Sequence, residues 1–74
     1  MLKHAEKYKQ LGLNISFHRK NAGLTQSQLA ERAEISRTYL SNIEAPHVVT
    51  PFTTTVLFHI SDALGVTVNQ LFIP

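Results

Sequence analysis

The sequence has no cysteine, no long apolar run, and no lysine or arginine after residue 37. Without cysteine, a disulfide scaffold, a thiolate metal site and a cysteine nucleophile are excluded. No stretch approaches the roughly 20 apolar residues of a membrane-spanning helix, and charged residues near the N-terminus interrupt any signal-peptide pattern. We therefore expect no membrane partner and a cytoplasmic location. A chain of 74 residues buries only about 60% of its unfolded surface, which leaves little room for a deep catalytic pocket.

Positive charge is confined to the first half of the chain. All seven lysines and arginines lie in residues 1–37, where only three acidic residues oppose them. Residues 38–74 hold two acidic residues, Glu44 and Asp62, and the net charge of the whole chain is +2. A basic end of this kind favours a polyanionic partner such as nucleic acid. By itself, however, this charge is more typical of a solvated surface, so the partner must be identified from motifs.

The chain length predicts a single domain over residues 1–74, and the spacing of apolar residues predicts a compact all-α bundle of about five short helices. The first helix is predicted over about residues 5–21 and ends before Gly23, a left-handed cap. The polar composition of residues 1–10 predicts an N-terminal extension that frays. The predicted buried face of the first helix consists of Leu11, Ile15, His18 and Ala22.

Two short helices follow in close succession. The second starts at Thr25, which forms a capping box with Gln28, and ends just before or at Glu34. The third starts at Ser36, a favourable N-cap. Only Glu34 and Ile35 separate the two helices, so they must cross sharply. This is the helix-turn-helix arrangement.

The rest of the chain predicts one long loop and two further helices. The loop covers residues 45–52 and contains no lysine or arginine. The fourth helix is predicted from about Thr54 to Leu64, with Thr53 as its N-cap and Gly65 as its C-terminal cap. A last short helix opens with a capping box at Thr67.

Residues 12–44 resemble the helix-turn-helix of the phage Cro and repressor family, the XRE-like DNA-binding domains. The matching residues are Gly12, Ile15 and Arg19, then Gly23-Leu24-Thr25-Gln26-Ser27-Gln28-Leu29-Ala30, then Ile35-Ser36-Arg37-Thr38-Tyr39-Leu40-Ser41-Asn42-Ile43-Glu44. The closing helices extend the resemblance to about residues 11–72. Residues 37–41 are similar, over a narrower stretch, to controller proteins of restriction–modification systems. The resemblance implies a lambda-repressor-like fold.

The resemblance also implies a function. It indicates a sequence-specific DNA-binding transcriptional regulator, of repressor or controller type, that reads the major groove with helix three. We expect a homodimer on a palindromic double-stranded operator, paired through residues 66–73 or through the long loop. The residues expected to contact DNA are Gln26, Ser36, Arg37, Thr38, Tyr39, Ser41 and Asn42. Arg19 and Glu44 are implied to form a structural ion pair between helix one and the end of helix three.

Some of these roles have competing interpretations. Arg37 has the strongest case for base readout, because arginine on a recognition helix pairs bidentately with guanine. For Ser36, a pure capping role competes with a phosphate contact. For Tyr39, packing at the rim of helix three competes with a contact to DNA. Glu34 stands where the family often has glycine, and a positive φ there would cost about 1 kcal/mol in strain.

No metal site, cofactor or enzyme activity is indicated. The four histidines, His4, His18, His47 and His59, are dispersed without metal-ligand spacing. No serine lies in a nucleophile motif, and no glycine-rich loop is suited to phosphates. We expect His18 to be partly buried with a satisfied hydrogen bond.

A protein-interaction module is the alternative function. Antitoxins of toxin–antitoxin pairs have the same fold and offer a surface to a partner protein. The apolar residues Val48, Val49, Phe52 and Phe58 favour this reading, because exposed apolar side chains invite burial against another surface. A stable hetero-complex on purification would support it, whereas DNA binding without any partner would support the regulator.

Overall fold

The computed structural model describes residues 3–73, which form five α-helices and no β-strand. In chain order the helices are α1 (Ala5–Asn21), α2 (Gln26–Ala33), α3 (Arg37–Glu44), α4 (Thr54–Leu64) and α5 (Val68–Leu71). The predicted all-α bundle is therefore confirmed for these residues. None of these helices is long and apolar enough to span a lipid bilayer.

The helices after α1 each begin at a hydroxyl-bearing N-cap, as the sequence predicts. Each cap oxygen accepts a hydrogen bond from the backbone N–H three residues on, and the caps are Thr25, Ser36, Thr53 and Thr67. At Thr25 and Thr67 the capping box is complete, because a glutamine side chain also accepts from the cap's own N–H. A cap of this kind contributes about 1 kcal/mol to helix stability. The caps explain why the predicted helix starts agree with the observed ones.

The core lies between all five helices. Helix α2 packs against α4, α1 packs against α3, and α5 closes the end of the bundle against α1 and α4. The prediction that Ala22 lies on the buried face of α1 is wrong, since Ala22 is exposed. The helix ends at Asn21, and the chain turns away at Gly23, which has φ 74°. The buried apolar residues are Leu11, Ile15, Leu29, Ala30, Ala33, Leu40, Ile43, Leu57, Ile60 and Leu71.

Helices α1 and α3 approach closely because a glycine lies between them. A Cβ atom added to Gly12 would overlap the carbonyl oxygen of Ile43. The backbone of α1 therefore rests directly on the last turn of α3. This contact brings the end of α3 next to the side chains that follow Gly12 on α1.

Two polar side chains of α1 hold the C-terminal segment. The Asn14 Nδ2 donates to the Leu71 carbonyl oxygen at 3.1 Å. The His18 Nε2 lies 2.8 Å from the Gln70 carbonyl oxygen and 3.1 Å from that of Ile73, so this nitrogen carries the proton. His18 is partly buried, as expected, whereas no pattern in the sequence predicts the buried amide of Asn14.

Candidate nucleic-acid interface

Helix α2, residues 34–36 and helix α3 form the helix-turn-helix. Glu34 has φ 59° and ψ 38°, the left-handed conformation that its position in the turn requires. The N–H of Ile35 donates to the Ala30 carbonyl oxygen at 3.0 Å and closes the end of α2. From α4, the His59 Nδ1 donates to the Ala33 carbonyl oxygen at 3.1 Å. The turn is thus fixed both by its own backbone and by a side chain of α4.

Helix α3 has one apolar side and one polar side. Leu40 and Ile43 are buried in the core and anchor the helix. Arg37, Thr38 and Asn42 are exposed. Because they are separated by one, four and five positions, these three side chains lie on adjoining parts of one helix surface. Ser41 belongs to the same surface and is half-buried.

Ser36 and Tyr39 both have structural roles in α3. The Ser36 Oγ accepts from the Tyr39 N–H at 3.0 Å, so Ser36 is the N-cap, and it remains exposed. The Tyr39 side chain is half-buried and packs against the core. Tyr39 therefore packs at the rim of α3, which is one of the two roles that the sequence leaves open for it.

A hydrogen-bonded network joins the N-terminus of α2 to the end of α3. The Arg19 Nε donates to the Glu44 Oε2 at 2.8 Å, and the Arg19 Nη2 donates to Glu44 Oε1 at 3.0 Å. The Arg19 Nη1 donates to the Leu24 carbonyl oxygen at 2.7 Å. The two charged side chains are only 10% and 4% exposed, respectively. The structure thus contains the ion pair implied by the family resemblance.

Gln26 is part of the same network. Its Nε2 donates to Glu44 Oε1 at 3.1 Å, and the residue is half-buried. The sequence predicts Gln26 at the first position of α2, where the structure places it. The sequence does not predict the hydrogen bond from Gln26 to Glu44, because the two residues lie 18 positions apart on different helices.

The long loop between α3 and α4 is less exposed than the sequence predicts. Phe52 is half-buried, and its ring meets the Tyr8 ring edge-on with centroids 5.7 Å apart. Val49 is also half-buried. Val48 and Phe58 are exposed at 44% and 50%. Two of the four apolar residues that favour a protein partner are thus partly buried within the domain.

A family model described as helix-turn-helix matches residues 17–71. The chain belongs to the XRE-type helix-turn-helix family. Members of this family are DNA-binding transcriptional regulators and not enzymes. The match covers the turn, the network around Glu44 and the closing helices. No curated protein sequence is significantly similar to the chain.

Similar solved structures support the assignment of the chain to this family. The N-terminal DNA-binding domain of SinR from Bacillus subtilis is 33% identical, with a TM-score of 0.76 over 89% of this chain and 94% of that chain. SinR, a master regulator for biofilm formation, is also known in complex with DNA; that structure is 35% identical, with a TM-score of 0.75 over 85% and 98% of the two chains. The restriction–modification controller protein C.AhdI from Aeromonas hydrophila is 20% identical, with a TM-score of 0.83 over 89% and 97%, and shares the fold.

Proposed function

We propose that the chain is a sequence-specific transcriptional regulator, of repressor or controller type, that reads the DNA major groove with α3. The observation that carries the proposal is that one side of α3 is buried while the other is exposed. Leu40 and Ile43 hold one side in the core, while the other side is polar and exposed. A major groove admits one such helix, and arginine and asparagine can pair with the edges of guanine and adenine.

The proposed contacts are of two kinds: contacts to base edges, which read the sequence, and contacts to phosphates, which position the protein on DNA. Arg37 reads a guanine, because its guanidinium can donate two parallel hydrogen bonds to the O6 and N7 atoms. Thr38, Ser41 and Asn42 contact the neighbouring base edges. Gln26 contacts a phosphate at the N-terminus of α2, where the helix dipole and free backbone N–H groups favour an anion.

Ser36 and Tyr39 complete the positioning contacts. Ser36 can offer a phosphate its exposed hydroxyl while its Oγ caps α3. The Tyr39 ring is packed on the core, so we assign only its hydroxyl to the DNA backbone. Phosphate contacts of this kind fix register without carrying sequence information.

We propose that two copies bind a palindromic operator in the cytoplasm. Phe72 and Ile73 are each 60% exposed at the end of the described chain. Phe72 lines an open hollow of about 370 Å³ together with Leu11, Leu57 and Lys7. A two-fold interface must be self-complementary, and two copies that place their exposed Phe72 rings against each other's hollow meet that requirement. In this arrangement the Phe72 ring of each copy enters the hollow of the other.

The experiment that tests the proposed function is selection of bound duplexes from random DNA with the purified chain. We expect the enriched duplexes to share a motif with two inverted half-sites about 10 bp apart, one turn of DNA. The chain should bind the enriched duplex far more tightly than a shuffled duplex of the same composition. Failure of a folded chain to enrich any motif over the starting library would refute sequence-specific binding.

A protein-interaction module remains a second candidate because Val48 and Phe58 are exposed. Under that function, a stable hetero-complex should form with a partner protein, and Val48→Ser together with Phe58→Ser should abolish it. DNA selection with the chain alone should then enrich nothing. The two functions therefore predict opposite results in the same selection experiment.

A further inference from the structure

We infer that Glu44 is a positioning residue for DNA binding, whose carboxylate holds the Gln26 side chain where the Gln26 amide can meet a phosphate. The inference rests on the phosphate contact proposed above for Gln26. It gives the ion pair a second role, because the pair would then support DNA affinity as well as the stability of the fold.

The geometry joins three helices at one carboxylate. Glu44 is the last residue of α3, Gln26 is the first of α2, and Arg19 comes from α1. The Glu44 oxygens accept from the Arg19 Nε at 2.8 Å and from the Gln26 Nε2 at 3.1 Å. Because Glu44 is itself fixed by Arg19 and buried, it offers Gln26 an immobile acceptor.

The bond to Glu44 leaves part of the Gln26 amide free for DNA. An amide nitrogen carries two hydrogens, and one of them is donated to Glu44. The second hydrogen remains for a phosphate oxygen. A free glutamine side chain loses rotamer freedom when it binds. Here that freedom is already reduced in the folded protein, so less affinity is lost on binding DNA.

The charge balance of the network is compatible with a nearby phosphate. An unpaired carboxylate beside a phosphate would repel it. The Arg19 guanidinium donates to both oxygens of Glu44, so the buried pair has no net charge. Arg19 is thus needed to let Glu44 act on Gln26 without opposing DNA.

The test is a double-mutant cycle in DNA affinity with Gln26→Ala, Glu44→Gln and the double variant. The probe is a mixed-sequence duplex about two helical turns long, which needs no known operator because a phosphate contact is independent of sequence. We expect Gln26→Ala to weaken binding about three- to tenfold, the effect of one lost hydrogen bond, and Glu44→Gln to weaken it as well, because a neutral amide oxygen holds the Gln26 amide less firmly than a carboxylate does. The loss of affinity caused by Glu44→Gln should be smaller in the background of Gln26→Ala than in the wild type, because the charge left on Arg19 is the same in both backgrounds and only the hold on Gln26 differs.

The same cycle separates failure of the inference from failure of the proposed function. If the wild type does not bind the duplex, the proposed function fails. If Gln26→Ala weakens binding but Glu44→Gln has the same effect with and without the Gln26 amide, Glu44 does not act through Gln26 and the inference is wrong. Ile60→Val, a change in the core, is the control for lowered stability and should leave the Kd unchanged.

Side-chain NMR of the wild type tests the inference even if Glu44→Gln does not fold. We expect one Gln26 side-chain amide proton to be shifted downfield and slow to exchange, since it is donated to a buried carboxylate. The Gln28 amide is the internal control, because Gln28 is exposed and uses its oxygen to accept from the Thr25 N–H. Identical free-glutamine signals for Gln26 and Gln28 would overturn the inference.

Discussion

The side chains of Arg19 and Glu44 are nine-tenths or more buried and meet through several hydrogen bonds. Removing one partner of such a pair leaves a buried charge without its counterion, which costs about 3–5 kcal/mol. We expect Arg19→Met and Glu44→Ala each to lower the free energy of unfolding by this amount. The double variant should lose less than the two single losses added together. Strictly additive losses in urea unfolding would mean that the two side chains do not interact.

Glu34 is an exposed residue in a strained backbone conformation. Its φ of 59° lies in the left-handed region. This conformation costs a residue with a Cβ atom about 1–2 kcal/mol, whereas glycine has no Cβ atom. Glycine also has more freedom to lose on folding, so we expect Glu34→Gly to stabilise the chain by about 0.5–1 kcal/mol. Glu34→Ala keeps the Cβ atom and should bring no such gain. The measurement is thermal unfolding of both variants, and equal Tm values would contradict the assignment of strain.

At the scale of helices, the contact between α1 and α3 depends on Gly12. A Cβ atom at this position would overlap the Ile43 carbonyl oxygen, and moving two packed helix backbones apart is costly. We expect Gly12→Ala to destabilise the chain by about 1–3 kcal/mol, even though alanine favours helix formation. Lys20→Ala, an exposed change in the same helix, should stay within about 0.5 kcal/mol of the wild type. A Gly12→Ala variant as stable as the wild type in urea would refute the close packing.

The helices could be predicted from the sequence because their signals are local. The caps Thr25, Ser36 and Thr53 each act on a backbone N–H three residues away, and apolar spacing identifies the buried sides. The bond between Gln26 and Glu44 could not be predicted in the same way. It depends on how three helices are brought together, and no local pattern encodes that. The same reason applies to the amide of Asn14, which meets the end of α5.

At the scale of the whole molecule, positive charge is divided unevenly between α3 and the last two helices. The exposed side of α3 carries Arg37, whereas α4 and α5 have no lysine or arginine. A surface without lysine or arginine is not drawn to DNA by its charge. This arrangement supports pairing of two copies through the C-terminal segment, with both recognition helices left free.

We expect Phe72→Glu to dissociate the proposed dimer, because it replaces the phenyl ring that fills the partner copy's hollow by a smaller side chain that must lose its hydration there. Phe58→Glu is the matched control, since Phe58 is exposed to a similar extent on α4 but lies outside the proposed interface. Analytical ultracentrifugation should show dimers for the wild type and the control, and monomers for Phe72→Glu. A wild type that is monomeric and binds one half-site in a one-to-one complex would contradict the proposal.

The assignment of base reading to α3 is tested most directly by comparing Arg37→Ala and Gln26→Ala on two duplexes, the selected operator and a shuffled sequence. Arg37→Ala should cost about 1–3 kcal/mol on the operator and relax the preference for guanine at one position, with a smaller loss on the shuffled duplex. Gln26→Ala should weaken binding to both duplexes alike, because a phosphate contact carries no base information. If Arg37→Ala lowers the affinity equally for both duplexes, Arg37 is only a phosphate contact, and its assignment to base reading is wrong.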